Sequence, residues 1–345
     1  MRRAILDIAQ GDPCAVHGYT SAQGAPQARQ AITDNLNARF GTQYTAEQLY
    51  LTVGAAASIS ICFKALTASP EDEFIIFAPF FPEYTVFIEQ GAGAKCVIVP
   101  AQDADFQIDF DAFEARLTAH TKGVVINSPN NPSGVVYSDQ TVARLAEILT
   151  RKSEEYGHPI YLISDEPYRE IVYDGRETPF VAKAYPRTLV CYSYSKSLSL
   201  PGERIGYVLV PQVEEFGDLY AAVCGAGRVL GYVCAPSLFQ QVAARCAGET
   251  ADLSVYEENR RLLFEGLTQM GYSCVKPDGA FYLFPRTLEA DDRAFCERAK
   301  KYDLLLVPGT DFGAPGHMRI SYCVQTETIR RALPLFRRLA EEYGR

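Results

Sequence analysis

The chain has 345 residues, 48% hydrophobic and 22% charged, an ordinary balance for a globular enzyme and too many residues for one small core. A net charge of -9 with no basic patch argues against a nucleic-acid partner, and no apolar run reaches the roughly 18 residues of a membrane span. Ten cysteines without a C-x-x-C pair, beside four histidines, argue against a zinc site and fit free thiols in a reducing cytoplasm.

In chain order, Met1-Arg2-Arg3 offers the basic start of a signal peptide, but Asp7 interrupts the apolar region at once. Gln10-Gly11-Asp12-Pro13 reads as the end of a first helix, and residues 25–40 as a helix stopped by Gly41. Short apolar runs then predict strands at 49–53, 74–78, 96–99, 124–127, 161–164, 189–193 and 205–210. Several are apolar on both faces, as in a parallel sheet covered by helices. Helical patterns at 55–67, 138–156 and 211–223 fall between them. This alternation predicts an α/β doubly wound domain over residues 19–252. The pattern changes after residue 252: a long helix at 253–270, strands at 280–284, 304–307 and 318–322, and helices at 291–302 and 326–342. These predict a smaller α+β domain over 253–345, with residues 1–18 packing on it.

Residues with chemical potential fall at the predicted strand ends. Lys196 emerges from the apolar run 188–192 within Ser193-Tyr194-Ser195-Lys196-Ser197, where burial disfavours its ammonium form and suits it to Schiff-base chemistry. A hydroxyl before it and Arg204 after it can hold a phosphate dianion. An aldehyde-reactive amine beside a phosphate site points to pyridoxal 5′-phosphate. Gly54-Ala55-Ala56 opens a helix after a strand, so its backbone N–H groups can approach a phosphate. The segment 78–84, with Phe81, presents aromatics able to stack on a flat ring. Asn127-Ser128-Pro129-Asn130-Asn131 supplies side-chain amides, and Ser164-Asp165-Glu166-Pro167-Tyr168 an acid suited to a pyridine nitrogen with a phenol three residues on. Arg319 in an alternating strand can clamp a carboxylate. Each has a plainer reading alone: a tight turn, a core aromatic pair, an Asx turn, a cap, or a solvated strand charge.

Together and in this order, the motifs resemble fold-type I PLP-dependent aminotransferases of class I/II, over nearly the whole chain from about Tyr19. The resemblance implies a mostly parallel central sheet with helices on both faces and a smaller C-terminal α+β domain. It implies that Lys196 forms the Schiff base, Asp165 pairs with the ring nitrogen, and Asn131 and Tyr168 hydrogen-bond the ring's phenolic oxygen. Phe81 stacks on the ring. The backbone at Gly54, Ala55 and Ala56, with Ser193 and Arg204, holds the phosphate, and Arg319 with Asn131 meets the substrate carboxylate. Tyr19 reaches the neighbouring subunit's phosphate, which implies a homodimer. The implied activity moves an amino group between an L-amino acid and a 2-oxo acid, with aspartate and 2-oxoglutarate the most common pair. A C–S lyase or decarboxylase on the same fold, and a non-catalytic PLP-binding regulatory domain, are the other readings. Members usually carry a longer N-terminal arm; here 18 residues precede Tyr19.

Overall fold

The computed structural model describes residues 1–102 and 104–345. Seven strands form the main sheet: β1 (Leu49–Thr52), β2 (Glu73–Phe77), β3 (Lys95–Val99), β4 (Thr121–Asn127), β5 (Tyr161–Asp165), β6 (Thr188–Ser193) and β7 (Gly206–Leu209). Their spatial order is β1-β7-β6-β5-β4-β2-β3. Strands β2 to β6 pair in parallel, and β7 runs against both its neighbours, β6 and β1. Every residue of β5 and β6 is buried, as the unbroken apolar runs predict for strands covered on both sides. On one face Ile59 and Phe63 of helix Ala55–Leu66 pack with Val223 of helix Phe216–Val229. On the other, Leu145 and Leu149 of helix Asp139–Tyr156 pack with Phe113 and Leu162. The ends of helix Asp139–Tyr156 are written locally: the Ser138 side chain accepts from the Thr141 N–H, and Gly157 takes a left-handed φ of 71°.

A second sheet orders β8 (Tyr282–Leu283), β10 (Met318–Ser321) and β9 (Val307–Pro308) antiparallel, with β10 in the middle. Helices Ser254–Gln269 and Thr326–Glu341 bury Leu263, Leu267, Phe336 and Leu339 with Met318 in a core of its own. The strands predicted at 280–284 and 304–307 appear as two-residue ladders at 282–283 and 307–308, because, among the described residues, β8 pairs only with Ile320 and Ser321 of β10 and β9 only with Met318 and Arg319.

The N-terminal segment does not follow its expected partner. Ile8 of helix Arg2–Ala9 and Val16 of helix Pro13–His17 enter the core formed by Ile32, Leu36, Val242 and Ala243. Residues 1–18 thus lie on helices Pro26–Phe40 and Ser237–Arg245, because their apolar positions complete the open side of that helix pair. The helix predicted at 211–223 begins at Phe216 and runs through Gly225 and Gly227 to Val229. Gly227 serves close packing rather than chain reversal: a Cβ there would sit 2.3 Å from the Tyr50 hydroxyl of β1.

Candidate active site

Four parallel strands bring their carboxyl ends to one place, where open α/β sheets bind ligands. After β2 the chain carries Phe81 and enters helix Glu83–Val86 with Tyr84, while β4 ends on Asn127, β5 on Asp165 and β6 on Ser193. The cavity there measures about 360 Å³. It is lined by Ala55, Ala56, Phe81, Asn131, Asp165, Tyr168, Ser193, Lys196, Arg204 and Arg319, among others. Gly54 stands behind this wall with φ 94°, and a Cβ on it would sit 2.5 Å from the Arg204 guanidinium. Tyr19 is fully exposed and lines no part of the cavity.

Asp165 is the electrostatic centre. Its Oδ2 accepts from the Tyr84 hydroxyl at 2.5 Å, and its Oδ1 is buried without a hydrogen-bond partner. Burial pushes its pKa up to about 7, Tyr84 opposes that rise, and Glu166 adds to it. Burial, then Asp165, hold the Tyr84 pKa well above 10, so Tyr84 is the donor of this bond. An unpaired buried carboxylate oxygen is costly, and a protonated heteroaromatic nitrogen is a partner of the right charge.

Lys196 lies in the short helix Tyr194–Ser197, with its Nζ 5.3 Å from the Phe281 ring centroid. Burial lowers its pKa; Arg204 and Arg319 act the same way, and Cys323 opposes them. Ser193 caps this helix by accepting from the Ser195 N–H, and the two hydroxyls are 2.7 Å apart. Arg204 donates to the Pro201 carbonyl at 2.9 Å and to the Ser195 hydroxyl at 3.3 Å. Two hydroxyls, one guanidinium and the N-terminus of helix Ala55–Leu66 together form a cradle for a dianion. With the orphaned Asp165 Oδ1 across the cavity, these residues fit pyridoxal phosphate.

Arg319 of the second sheet meets the segment that follows β4 of the first. Arg319 of β10 donates to Asn131 Oδ1 at 3.0 Å and lies over the rings of Tyr282 and Phe312, 4.8 Å from each centroid. Asn131 is held in turn: its N–H donates to Asn127 Oδ1 at 2.7 Å, and Asn127 Nδ2 donates to the Asp165 carbonyl at 2.9 Å.

Sequence reasoning missed Tyr84, Asn127, Ser195 and Tyr282, all of which line the cavity or bond to residues that do. The first three lie inside motifs already singled out and needed only a partner. Tyr282 gave no local signal, because its partners lie 114 residues away at Tyr168 and across the sheet at Arg319. A larger cleft of about 1060 Å³ lies between helix Pro26–Phe40 and residues 169–184. Its exposed arginines are already paired, Arg39 with Glu170 and Arg176 with Asp278. Among the described residues no acid, thiol and imidazole cluster can hold a metal, and no helix is long and apolar enough to cross a membrane.

The model of the aminotransferase class I and II family matches residues 1–335, and the chain belongs to that family. The family works with pyridoxal phosphate, and the chain is a transaminase. It is 30% identical over 326 residues to the aspartate/prephenate aminotransferase of Thermus thermophilus, covering 93% of this chain and 83% of that protein. Its structure matches an amino transferase from Eubacterium rectale with a TM-score of 0.97 and 59% identity, over 100% of this chain and 87% of that one. The aspartate aminotransferase of Thermotoga maritima matches with a TM-score of 0.86 and 29% identity, over 99% and 87%.

Proposed function

We propose that the cavity binds pyridoxal 5′-phosphate at Lys196 and exchanges an amino group between an L-amino acid and a 2-oxo acid. Aspartate with 2-oxoglutarate is the first pair to test, since aspartate recurs in the names of the relatives. The observation that carries this reading is a half-buried amine of lowered pKa facing a buried, unpaired carboxylate oxygen in one cavity. The cofactor supplies an aldehyde for the amine and a ring that takes up the electron pair left at the substrate Cα. Asp165 Oδ1 holds the ring nitrogen in its protonated form. The Ser193 hydroxyl, the Arg204 guanidinium and the N–H groups of Ala55 and Ala56 would hold the phosphate, and Phe81 would cover the ring. Tyr168 and Asn131 bond the phenolic oxygen. Arg319 binds the substrate carboxylate and so fixes which Cα bond can break. Lys196 Nζ, once the substrate amine has replaced it on the cofactor, would be the free amine that takes the proton from that carbon.

The proposed active unit is a cytoplasmic homodimer in which Tyr19 reaches the partner's phosphate site. The full exposure of Tyr19 supports this, as does its loop, which meets Cys234 Sγ at the Thr20 carbonyl close to exposed Val229 and Val233. The ten free thiols fit a reducing compartment.

Borohydride reduction of the cofactor-loaded protein is expected to attach the cofactor to Lys196, read by peptide mass spectrometry. An unlabelled Lys196 rejects the assignment. Arg319→Ala removes the carboxylate clamp and is expected to raise KM for both amino acid and 2-oxo acid by about 30-fold or more, in line with the ~2 kcal/mol of a charge-assisted pair. Steady-state kinetics over both substrates check this. Gly54→Ala drives a methyl group into the Arg204 guanidinium, and a fluorescence titration is expected to show at least tenfold weaker cofactor binding. Unchanged affinity would mean that Arg204 does not hold the phosphate.

A further inference from the structure

We infer that Tyr282 is a positioning residue of the active site, tying the carboxylate clamp to the phenol that faces the cofactor ring; this rests on the function proposed above. Tyr282 sits in β8, opposite Ser321 of β10. Side chains two residues apart on a strand share a face, so Tyr282 lies diagonal to Arg319 on the same side of the ladder, within reach of an aromatic ring. The structure uses that reach: the Arg319 guanidinium lies 4.8 Å from the Tyr282 ring centroid and 4.8 Å from that of Phe312. The hydroxyl of the same side chain lies 3.0 Å from the Tyr168 hydroxyl, and the two rings meet edge to face. Tyr282 is 8% exposed and lines the cavity.

Either hydroxyl of the pair can donate, and the proposed function selects the direction. Each phenol has one proton to give. For Tyr168 to donate into the cavity, it must accept from Tyr282, so Tyr282 is the donor and Tyr168 keeps its proton for the ring oxygen. A phenol that accepts one bond donates the next more strongly. Burial is the largest cause that keeps the Tyr168 proton on, and Arg319 favours its loss. Tyr282 therefore sets the donor strength of Tyr168 through its hydroxyl and the plane of Arg319 through its ring.

Two variants separate these roles. Tyr282→Phe keeps the ring and removes the hydroxyl. A weaker Tyr168 donor leaves the cofactor's phenolic oxygen more basic. The pH midpoint of the yellow absorbance of the loaded protein is expected to rise by about half a unit, the size of one net hydrogen bond, with KM within about twofold of wild type. Tyr282→Leu also removes the ring, and KM for both substrates is expected to rise roughly 5- to 30-fold as one face of the cation is lost. Circular dichroism confirms the fold of each variant, and Tyr282→Phe, which conserves packing, carries the test if the leucine variant unfolds. An unmoved absorbance midpoint in Tyr282→Phe, or an unmoved KM in a folded Tyr282→Leu, overturns the inference. Failure of the underlying function is distinct: wild type itself would then show neither yellow absorbance nor amino-group exchange.

Discussion

Lys196→Ala is expected to lower amino-group exchange at least about 10⁴-fold, while the melting temperature of the cofactor-free protein stays within a few degrees of wild type. The activity side follows from what else the cavity holds. Asp165 is fully buried and engaged by Tyr84, and the Tyr168 pKa stands well above 10. In the proposed site the ring nitrogen occupies Asp165 Oδ1 and Tyr168 keeps its proton, so neither is the base for the substrate carbon. Arg204 and Arg319 stay cationic and act as anion holders. That leaves the Lys196 amine, whose pKa is lowered by burial, with Arg204 and Arg319 adding to that effect. The stability side follows from the local structure. Lys196 lies in a one-turn helix capped by Ser193, and alanine favours that conformation at least as well. The contact of Nζ with the Phe281 ring, worth about 0.5–1 kcal/mol, is lost, but so is the cost of burying an ammonium group. Coupled turnover assays over a panel of amino acids, with differential scanning calorimetry, check both sides. Turnover near wild type with an intact fold refutes the role of Lys196.

Why the sequence led to this lysine, and not to its whole surroundings, has a physical reason. Lys196, Asp165, Asn131 and the Gly54 turn each follow an apolar strand at once, so chain order already places them at the sheet's carboxyl edge. Period and burial along one stretch are local properties, which is why the seven strands of the main sheet were legible. The partners are not local. Tyr84 meets Asp165 across 81 residues, and Arg319 meets Asn131 across 188. Nothing in either segment alone says which phenol or amide will face which acid or arginine. Helix Phe216–Val229 shows the same limit in the backbone: Gly225 and Gly227 read as helix ends by propensity, yet contact with Tyr50 makes Gly227 the residue that lets the helix lie close to β1. The N-terminal segment is a third case. Its apolar residues announce that it must be covered, but the surface that covers them is assembled from helices Pro26–Phe40 and Ser237–Arg245, more than 190 residues apart along the chain.

Asp165→Asn is expected to cut turnover at least a hundredfold, about 2.7 kcal/mol of barrier, while making the cofactor-free protein more stable above neutral pH. The two effects have one source. Burial raises the Asp165 pKa from 3.8 to about 7, so folding takes up a proton between those values. There the folded state binds more protons than the unfolded one, and stability falls as pH rises. Below about 4 both states are protonated and the penalty is absent; above about 7 it is fully developed, at ~4 kcal/mol for a shift of this size. Asparagine keeps an acceptor for the Tyr84 hydroxyl and carries no charge to desolvate. Asp174, held down to about 2 by Arg260 and Lys276, titrates below this range, and it is the same in both proteins. The difference between wild type and Asp165→Asn cancels its contribution. Urea unfolding of both proteins without cofactor at pH 4, 6 and 8 should therefore show a gap that opens in favour of the variant as pH rises. The cost to the wild-type protein is the means of its chemistry: a carboxylate that burial destabilises binds a protonated ring nitrogen more strongly than one in water does. A pH-independent gap would show that Asp165 is not destabilised in the folded chain. A variant of near wild-type turnover would show that its charge is not used.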